Sequence, residues 1–324
     1  MRKFNLLAVI MLAAVSMTTT AYGQVAAPRL IQGGSMNGAT LPFNMTSFAG
    51  VAYIDVTSEA TPSGGNAVET GSGSGFGLSG IFSNETFGLG IDVYSVDVDN
   101  APPPVGNGKT NTFKGNAVGL GGKMGDSLGL GLSLESEEYE DANTLVKYSL
   151  PSLGVTWKMG EMFFLGGTYG TQNVEISDPI DPNKKADADQ TVSRIGAGVY
   201  SRDNEGGFHA EVYRQLNELL ELRDKATSAL IFAEESETIG FVLEGRFSNI
   251  VIGIEQATET VDELDPGNVP PLQTTENKAL DLSLGWSPQE GLGLVVGVKT
   301  EERTRANGDV ETTSLTGASL FFVF

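Results

Sequence analysis

The last fifteen residues of the chain, Val310–Phe324, constrain its fold more than any other segment. They read VETTSLTGASLFFVF. Because side chains of a β-strand alternate between its two faces, Leu320, Phe322 and Phe324 share one face. An apolar strand left at the open edge of a sheet invites aggregation. A closed barrel removes that edge by pairing the last strand with the first, so the segment predicts a membrane barrel, with an ordinary buried C-terminal strand as the alternative.

The N-terminus predicts a cleaved secretory signal. Arg2 and Lys3 precede an apolar run from Leu6 to Met17, and the small residues of Ala21-Tyr22-Gly23 follow. We therefore expect a signal peptide over residues 1–23, an N-terminal periplasmic or plug segment over 24–45, and an outer-membrane β-barrel over 46–324.

Composition narrows the classes of protein further. After the signal run, no stretch of about eighteen apolar residues exists, and the mean hydropathy is −0.06, as expected when half of each strand faces a polar lumen. The chain has no cysteine, which excludes disulfides, thiol chemistry and a lipid-anchored lipoprotein. Without Arg2 and Lys3, 18 basic residues oppose 41 acidic ones, a net charge of −23 that argues against nucleic-acid partners.

The remaining chain alternates between short turns and longer loops. Gly125-Asp126 and Gly160-Glu161 have the length and composition of tight hairpin turns, whereas residues 99–111 and 262–276 are long and rich in proline. These turns and loops delimit fourteen predicted strands. An even number places both termini and all tight turns on the periplasmic side, and the expected fold class is an all-β, transmembrane, antiparallel up-and-down barrel of about 14 strands.

Aromatic residues lie beside the tight turns, where a membrane barrel carries an interfacial girdle. In this interpretation, Arg214 is the one charged residue on the outward faces of the strands. The predicted girdle contains Trp157, Trp286, Phe247 and Phe163, together with Phe82, Phe87, Phe208 and Phe324.

The inward faces carry charges of both signs, separated by many glycines and serines. Such a lining is typical of a water-filled or loosely plugged passage, although the same charges also pair and solvate a closed interior. The predicted lumen-lining residues are Asp92, Glu135, Lys158, Arg194, Glu244, Arg246, Glu255, Asp281 and Lys299, with Glu211 and Glu301 on the same faces.

Residues 217–234 depart from the alternating pattern. Leu216, Leu219, Leu220 and Leu230 recur near helical spacing, with charged residues between them. This spacing predicts an amphipathic helix on the extracellular side, either as a lid over the barrel or as a piece packed on its rim.

Two resemblances follow from these features. The aromatic ending resembles the C-terminal strand of Gram-negative outer-membrane barrels, in which Phe324, Phe322 and Leu320 would form the signal read by the barrel-assembly machinery. The fourteen-stranded layout with an N-terminal segment resembles the long-chain fatty-acid transporter (FadL-type) family and, equally in size, monomeric porins. Phe43-Asn44 matches part of an aromatic-Asn-Pro element of the FadL-type family, but Met45 stands where proline is expected. The family resemblance implies a plugged barrel that passes hydrophobic compounds through its wall.

Enzymatic chemistry finds little support. His209 is the one histidine, and the local sequence H-A-E lacks the H-x-S of outer-membrane hydrolases. The G-x-G-x-x-G pattern at Gly75–Gly80 falls inside a predicted strand, so it does not indicate a nucleotide site. We expect no cofactor, no catalytic residue and no resident metal.

The sequence thus predicts an outer-membrane channel for passive diffusion of small solutes. The alternatives are a FadL-type transporter of hydrophobic compounds and a closed barrel that is structural or binds at the cell surface. Expected partners are outer-membrane lipid, lipopolysaccharide and the assembly machinery. Acidic loops such as 262–268 are candidate ligands for divalent cations.

Overall fold

The computed structural model describes residue 39 and residues 47–63, 65–84, 86–102, 108–141, 144–177, 185–202, 206–224, 230–264, 273–288, 290–305 and 308–324. The predicted signal peptide and pre-barrel segment lie outside this part of the chain, except for Ala39. Within it, no helix is long and apolar enough to cross a membrane.

Fourteen strands form one sheet. They are β1 (Phe48–Thr61), β2 (Val68–Ser83), β3 (Phe87–Asn100), β4 (Thr110–Met124), β5 (Leu128–Glu140), β6 (Leu145–Met159), β7 (Phe163–Ser177), β8 (Lys185–Arg202), β9 (Gly206–Asp224), β10 (Leu230–Phe247), β11 (Ile250–Leu264), β12 (Gln273–Trp286), β13 (Gly291–Thr304) and β14 (Val310–Val323).

The sheet closes on itself. Every strand pairs antiparallel with its neighbours in sequence, and β14 pairs with β1 from Phe48↔Val323 to Thr61↔Val310. The backbone N–H of Phe324 adds a hydrogen bond of 3.1 Å to the carbonyl of Ser47. The apolar last strand therefore has no free edge, and the predicted fourteen-stranded antiparallel barrel is confirmed.

The two ends of the barrel differ in their connections. At the end that holds the C-terminus, which we call the turn end, Gly125 and Gly160 take φ values of +67° and +68° in tight turns, a conformation that favours glycine. The opposite end, the loop end, carries the longer connections. The G-x-G-x-x-G pattern lies within β2, and a Cβ on Gly75 would meet the carbonyl oxygen of Ser95 at 2.1 Å. These glycines allow close approach of β2 and β3.

The outer face changes character along each strand. On β13, outward residues Leu292, Leu294, Val296 and Val298 are 45–52% exposed, and Thr300 and Glu302 follow toward the loop end. Apolar surface exposed over a whole circumference is what lipid requires and water does not tolerate. We call this circumferential strip the apolar band.

Outward charge is more abundant than the sequence suggested. Arg214 does face outward and its Nε donates to Glu237 Oε1 at 2.7 Å, but Asp55, Asp97 and Lys114 also face outward. The expectation of an otherwise uncharged outer face is wrong because the strands continue past the apolar band toward the loop end, where their outward residues are polar.

The predicted helix over 217–234 is also wrong. Residues 217–224 belong to β9 and residues 230–234 to β10, while 225–229 lie outside the described residues. Asn217 pairs with Ser236 but Leu220 pairs with Glu234, so β9 has one extra residue in a bulge. Because of the bulge, the next inward residue after Asn217 is Leu220 rather than Leu219. This three-residue step imitates helical spacing.

Two tyrosine side chains reach across the neighbouring strand at a glycine and form a hydrogen bond to the strand beyond it. Tyr94 on β3 lies across Gly115 on β4, and its hydroxyl donates to Glu137 Oε1 on β5 at 3.2 Å. Tyr213 on β9 lies across Gly240 on β10 in the same way and donates to Glu255 Oε1 on β11 at 3.2 Å. Each arrangement ties three consecutive strands together on the inner face.

Replacing Gly115 by alanine is expected to break the first of these arrangements. The new Cβ would lie 2.2 Å from the Tyr94 ring, so the ring must move and its hydrogen bond to Glu137 is lost. We expect a loss of about 1–3 kcal/mol in the free energy of unfolding, measured by urea titration of the refolded barrel. Gly122→Ala on the same strand is the control, since its Cβ would meet only the Thr86 carbonyl at 3.8 Å. Equal stability of the two variants would contradict the prediction.

Candidate functional site in the barrel lumen

The loop-end half of the lumen is lined by apolar side chains. They project inward from β14, β1 and the strands β3 to β9, and all are less than a tenth exposed. The outer face at the same level is polar, so this half has the apolar-in arrangement of a water-soluble domain. We call this set the apolar cluster; it consists of Ile54, Val56, Tyr94, Val96, Val98, Phe113, Tyr139, Val146, Val174, Ala186, Ala188, Leu220, Leu222 and Leu315, with Tyr148 and Ile176 packed against it.

Aromatic rings occupy one side of the apolar cluster. The rings of Phe113 and Tyr139 lie 4.9 Å apart between centroids with a 44° tilt. Tyr139 donates to Asp141 at 3.3 Å, and Tyr148 packs against the same cluster. We call Tyr94, Phe113, Tyr139 and Tyr148 the aromatic side. It is the aromatic part of an otherwise aliphatic lining.

The sector of the lumen on β10 to β13 is polar instead. Glu259 accepts hydrogen bonds from Ser236 at 3.0 Å and from Asn277 at 2.8 Å, and Lys299 forms an ion pair with Glu301. A small cavity beside this pair is lined by Glu255, Ala257, Ala279, Asp281 and Lys299. The lumen therefore has one apolar and one polar side at the same level.

The turn-end half of the lumen combines a second apolar group with a buried ionic group. Phe48 and Phe321 meet edge to face at 6.1 Å between centroids. His209 Nε2 lies 3.2 Å from Glu211 Oε2, and its Nδ1 lies 3.7 Å from Glu244 Oε2. All three ionic side chains are nearly inaccessible. This group ties β9 to β10.

All nine predicted lumen-lining residues lie on inward faces. Their burial differs from that of a pore lining, since Asp92, Arg194, Asp281 and Lys299 are 2–6% exposed. Arg194 donates through Nε to Gln215 Oε1 at 2.8 Å. These side chains are largely engaged with other protein groups. The nine residues are Asp92, Glu135, Lys158, Arg194, Glu244, Arg246, Glu255, Asp281 and Lys299.

The Arg246 side chain donates hydrogen bonds to two backbone carbonyls. Its Nε donates to the carbonyl of Ser248 and its Nη2 to the carbonyl of Ser287, both at 2.9 Å. These carbonyls belong to two different connections at the turn end. Arg246 thus holds two turns together beneath the lumen.

The predicted girdle and C-terminal residues face outward at the turn end. Trp157, Trp286, Phe163 and Phe247 are 50–68% exposed. Phe324, Phe322 and Leu320 also face outward, and the Phe324 ring lies 5.7 Å from that of Phe82. Their roles at the membrane interface and in assembly stay predictions.

The apolar cluster is the feature that sequence reasoning missed. Its signal is present in strands such as β3, where Val96 and Val98 alternate with Asp97 and Asp99. These valines share a face with Asp92, which the sequence already placed inward. No local signal, however, shows that the strand continues past the apolar band with apolar residues inside.

One residue ahead of the barrel is also enclosed. Ala39 belongs to the predicted pre-barrel segment and is 0% exposed. Among the described residues, no group of three or more histidine, aspartate, glutamate or cysteine side chains is placed to hold a metal ion. Asp262, in the acidic segment proposed for divalent cations, accepts from Thr274 at 2.7 Å, and residues 265–268 lie outside the described part.

A closed fourteen-stranded antiparallel barrel with an apolar outer band defines the class: a transmembrane β-barrel of the outer-membrane type. No family model and no curated protein matches the chain.

Solved structures do share the architecture. A Pseudomonas aeruginosa FadL homologue is 11% identical with a TM-score of 0.54, covering 95% of this chain and 97% of that chain. A deltaS2 mutant of the monoaromatic hydrocarbon channel TodX is 10% identical with a TM-score of 0.53, covering 94% and 99%. The Ralstonia pickettii toluene transporter TbuX is 9% identical with a TM-score of 0.51, covering 95% and 99%. This chain therefore has the FadL-type barrel fold.

Proposed function

We propose that this protein is an outer-membrane transporter of hydrophobic compounds. The observation that carries the proposal is the apolar cluster on the inner face of the loop-end half. Water-filled porins have polar interiors, and an apolar lining offers nothing to a hydrated solute. It does offer a hydrophobic compound a site out of water on the extracellular side of the bilayer.

The degree of burial supports a transporter over an open porin, which was the first expectation from sequence. Inward side chains such as Val98 and Lys299 are each 2% exposed, which is unlike the wall of a wide aqueous pore. Ala39 is fully enclosed although it precedes the first strand. Because the wall is a single sheet, enclosure of a non-strand residue supports a plug inside the lumen.

A weak point in the β6–β7 ladder supports sideways exit. Between β6 and β7 the pairing runs to Ser149↔Asn173 and resumes at Ser152↔Gly170, so Leu150 and Pro151 are skipped. Proline has no N–H to give to the ladder. Outside this interruption, Leu153 and Tyr169 are about 60% exposed, within the apolar band. The strands still touch here, since a Cβ on Gly170 would meet the Pro151 carbonyl oxygen at 2.5 Å. A hydrophobic compound that parts them would enter lipid without crossing the charged turn-end lumen.

Uptake and conductance together test this function. Gram-negative cells producing the barrel are expected to take up a radiolabelled alkylbenzene faster than cells without it, while the refolded protein in a planar bilayer shows no steady ion current. A double variant, Val96→Thr with Val174→Thr, puts two hydroxyls into the apolar cluster at nearly constant volume. We expect it to lower uptake about tenfold.

The matched control is Val93→Thr with Val155→Thr, because these valines face outward on β3 and β6. It should leave uptake close to that of the parent. Steady conductance with no hydrophobic uptake would instead favour the passive channel. Neither activity in a folded barrel would favour a structural or surface-binding role.

A further inference from the structure

Hydrogen-bond acceptors border the aromatic side, and two of them have no donor among the described residues. Asn111 is 4% exposed and lies on the inner face of β4 beside Phe113, opposite Val98 of the apolar cluster. Its Oδ1 is buried without a donor. On the turn-end side, Oε1 of Glu135 is also buried without a donor. A buried acceptor without a donor is costly, so the site favours a ligand that brings one.

Glu137 adds a third acceptor between these two. It lies between Glu135 and Tyr139 on the inner face of β5, directly opposite Tyr148 on β6. One of its oxygens accepts from the Tyr94 hydroxyl. The aromatic side is therefore an apolar surface bordered by three hydrogen-bond acceptors.

The ionisable side chains around the aromatic side are mainly carboxyl groups. Glu137, Asp92 and Glu135 all act electrostatically on Tyr94, and Arg194 is the cation that acts on Glu135. Arg194 in turn interacts with Glu211 and Glu255, so its charge is shared among several carboxylates. An anionic ligand would have to give up its hydration to enter this buried, low-dielectric region.

We propose that the preferred ligand is an uncharged aromatic compound that carries a hydrogen-bond donor, such as a phenol or an aromatic amine, and that carboxylates are excluded. This inference rests on the proposed function and specifies its substrate class. The ring packs on Phe113 and Tyr139, and the donor reaches Asn111 Oδ1 or Glu135 Oε1. A plain hydrocarbon fills the same surface but leaves these acceptors without a donor.

Three probes of matched size test the rule: 4-propylphenol, propylbenzene and 4-propylbenzoate. Equilibrium dialysis of the refolded full-length mature protein in detergent, against detergent alone, measures binding above micelle partitioning. We expect 4-propylphenol to bind about tenfold more tightly than propylbenzene, because one hydrogen bond to a buried acceptor is gained. Binding of 4-propylbenzoate is expected to be at least about tenfold weaker than that of the phenol.

Two variants separate the contributions. Glu135→Leu removes the buried acceptor Oε1, so it should weaken binding of the phenol while leaving that of the hydrocarbon unchanged. Asn111→Leu removes an acceptor and should bring the phenol toward the affinity of the hydrocarbon. Glu138→Gln is the control, because it lies on the same strand but faces outward, where Glu138 pairs with Lys147 at 2.9 Å. Folding of each variant is checked by its thermal unfolding.

The outcomes distinguish this inference from the proposed function. If all three probes bind equally and the variants change nothing, the donor rule is overturned while hydrophobic binding stands. If benzoate binds most tightly, the charge argument is overturned. If no probe binds to a folded barrel, both the substrate class and the proposed function are overturned.

Discussion

Replacing Val296 by lysine is expected to destabilise the barrel by about 2–4 kcal/mol. Val296 faces outward from the middle of the apolar band on β13 and is 45% exposed. A lysine at the midplane of a bilayer must leave its charge in hydrocarbon or move the side chain to the interface, and both are costly. Urea titration of the barrel refolded in lipid vesicles, followed by tryptophan fluorescence, measures the effect.

Thr300→Lys is the matched control for this experiment. Thr300 lies four residues further on the same strand and on the same outward face, beyond the last apolar residue, Val298. We expect a cost there of about 0–1 kcal/mol. Equal costs at the two positions would mean that the bilayer does not lie where the apolar band places it.

Replacing Arg246 by methionine is expected to cost about 2–4 kcal/mol of stability, because the side chain is 8% exposed and bonds to the carbonyls of Ser248 and Ser287. Methionine keeps much of the volume but leaves two carbonyl groups without their charged donor. The sequence analysis placed Arg246 among the lumen-lining residues, whereas these contacts give it a structural role. The same urea titration measures the stability of this variant.

Lys158→Met provides the comparison, since Lys158 also faces inward at the turn end. We expect a smaller loss of stability there. Normal stability of Arg246→Met would show that the two turns do not depend on this side chain.

The fold could be predicted because its signals are local. On β5, Leu130, Leu132 and Leu134 alternate with small or polar residues, and Gly125 marks the turn before it. Such patterns state where a strand is and which residues share a face. Their repetition fourteen times, with short and long connections in alternation, is enough to define the barrel.

The interior could not be predicted to the same depth because burial depends on partners far away in sequence. Val96 shares the inward face of Asp92, but no local pattern shows that β3 continues beyond the apolar band, where its pairing with β2 and β4 keeps the valine inside and Asp97 outside. The bulge at Asn217–Leu220 changes the face of every later residue on β9. Contacts such as Tyr94 with Glu137 join residues two strands apart and have no local signal.

The short apolar band has a consequence for membrane thickness. On β13 it extends from Leu292 to Val298, and a tilted strand of that length covers roughly 15–20 Å along the barrel axis. Most bilayers have hydrocarbon cores thicker than this, so the surrounding lipid must thin to match the protein, at a cost that rises with each ångström of mismatch. The protein is therefore suited to a thin membrane, and its loop-end half, with the apolar cluster inside, stands above the lipid among the headgroups and the water beyond them.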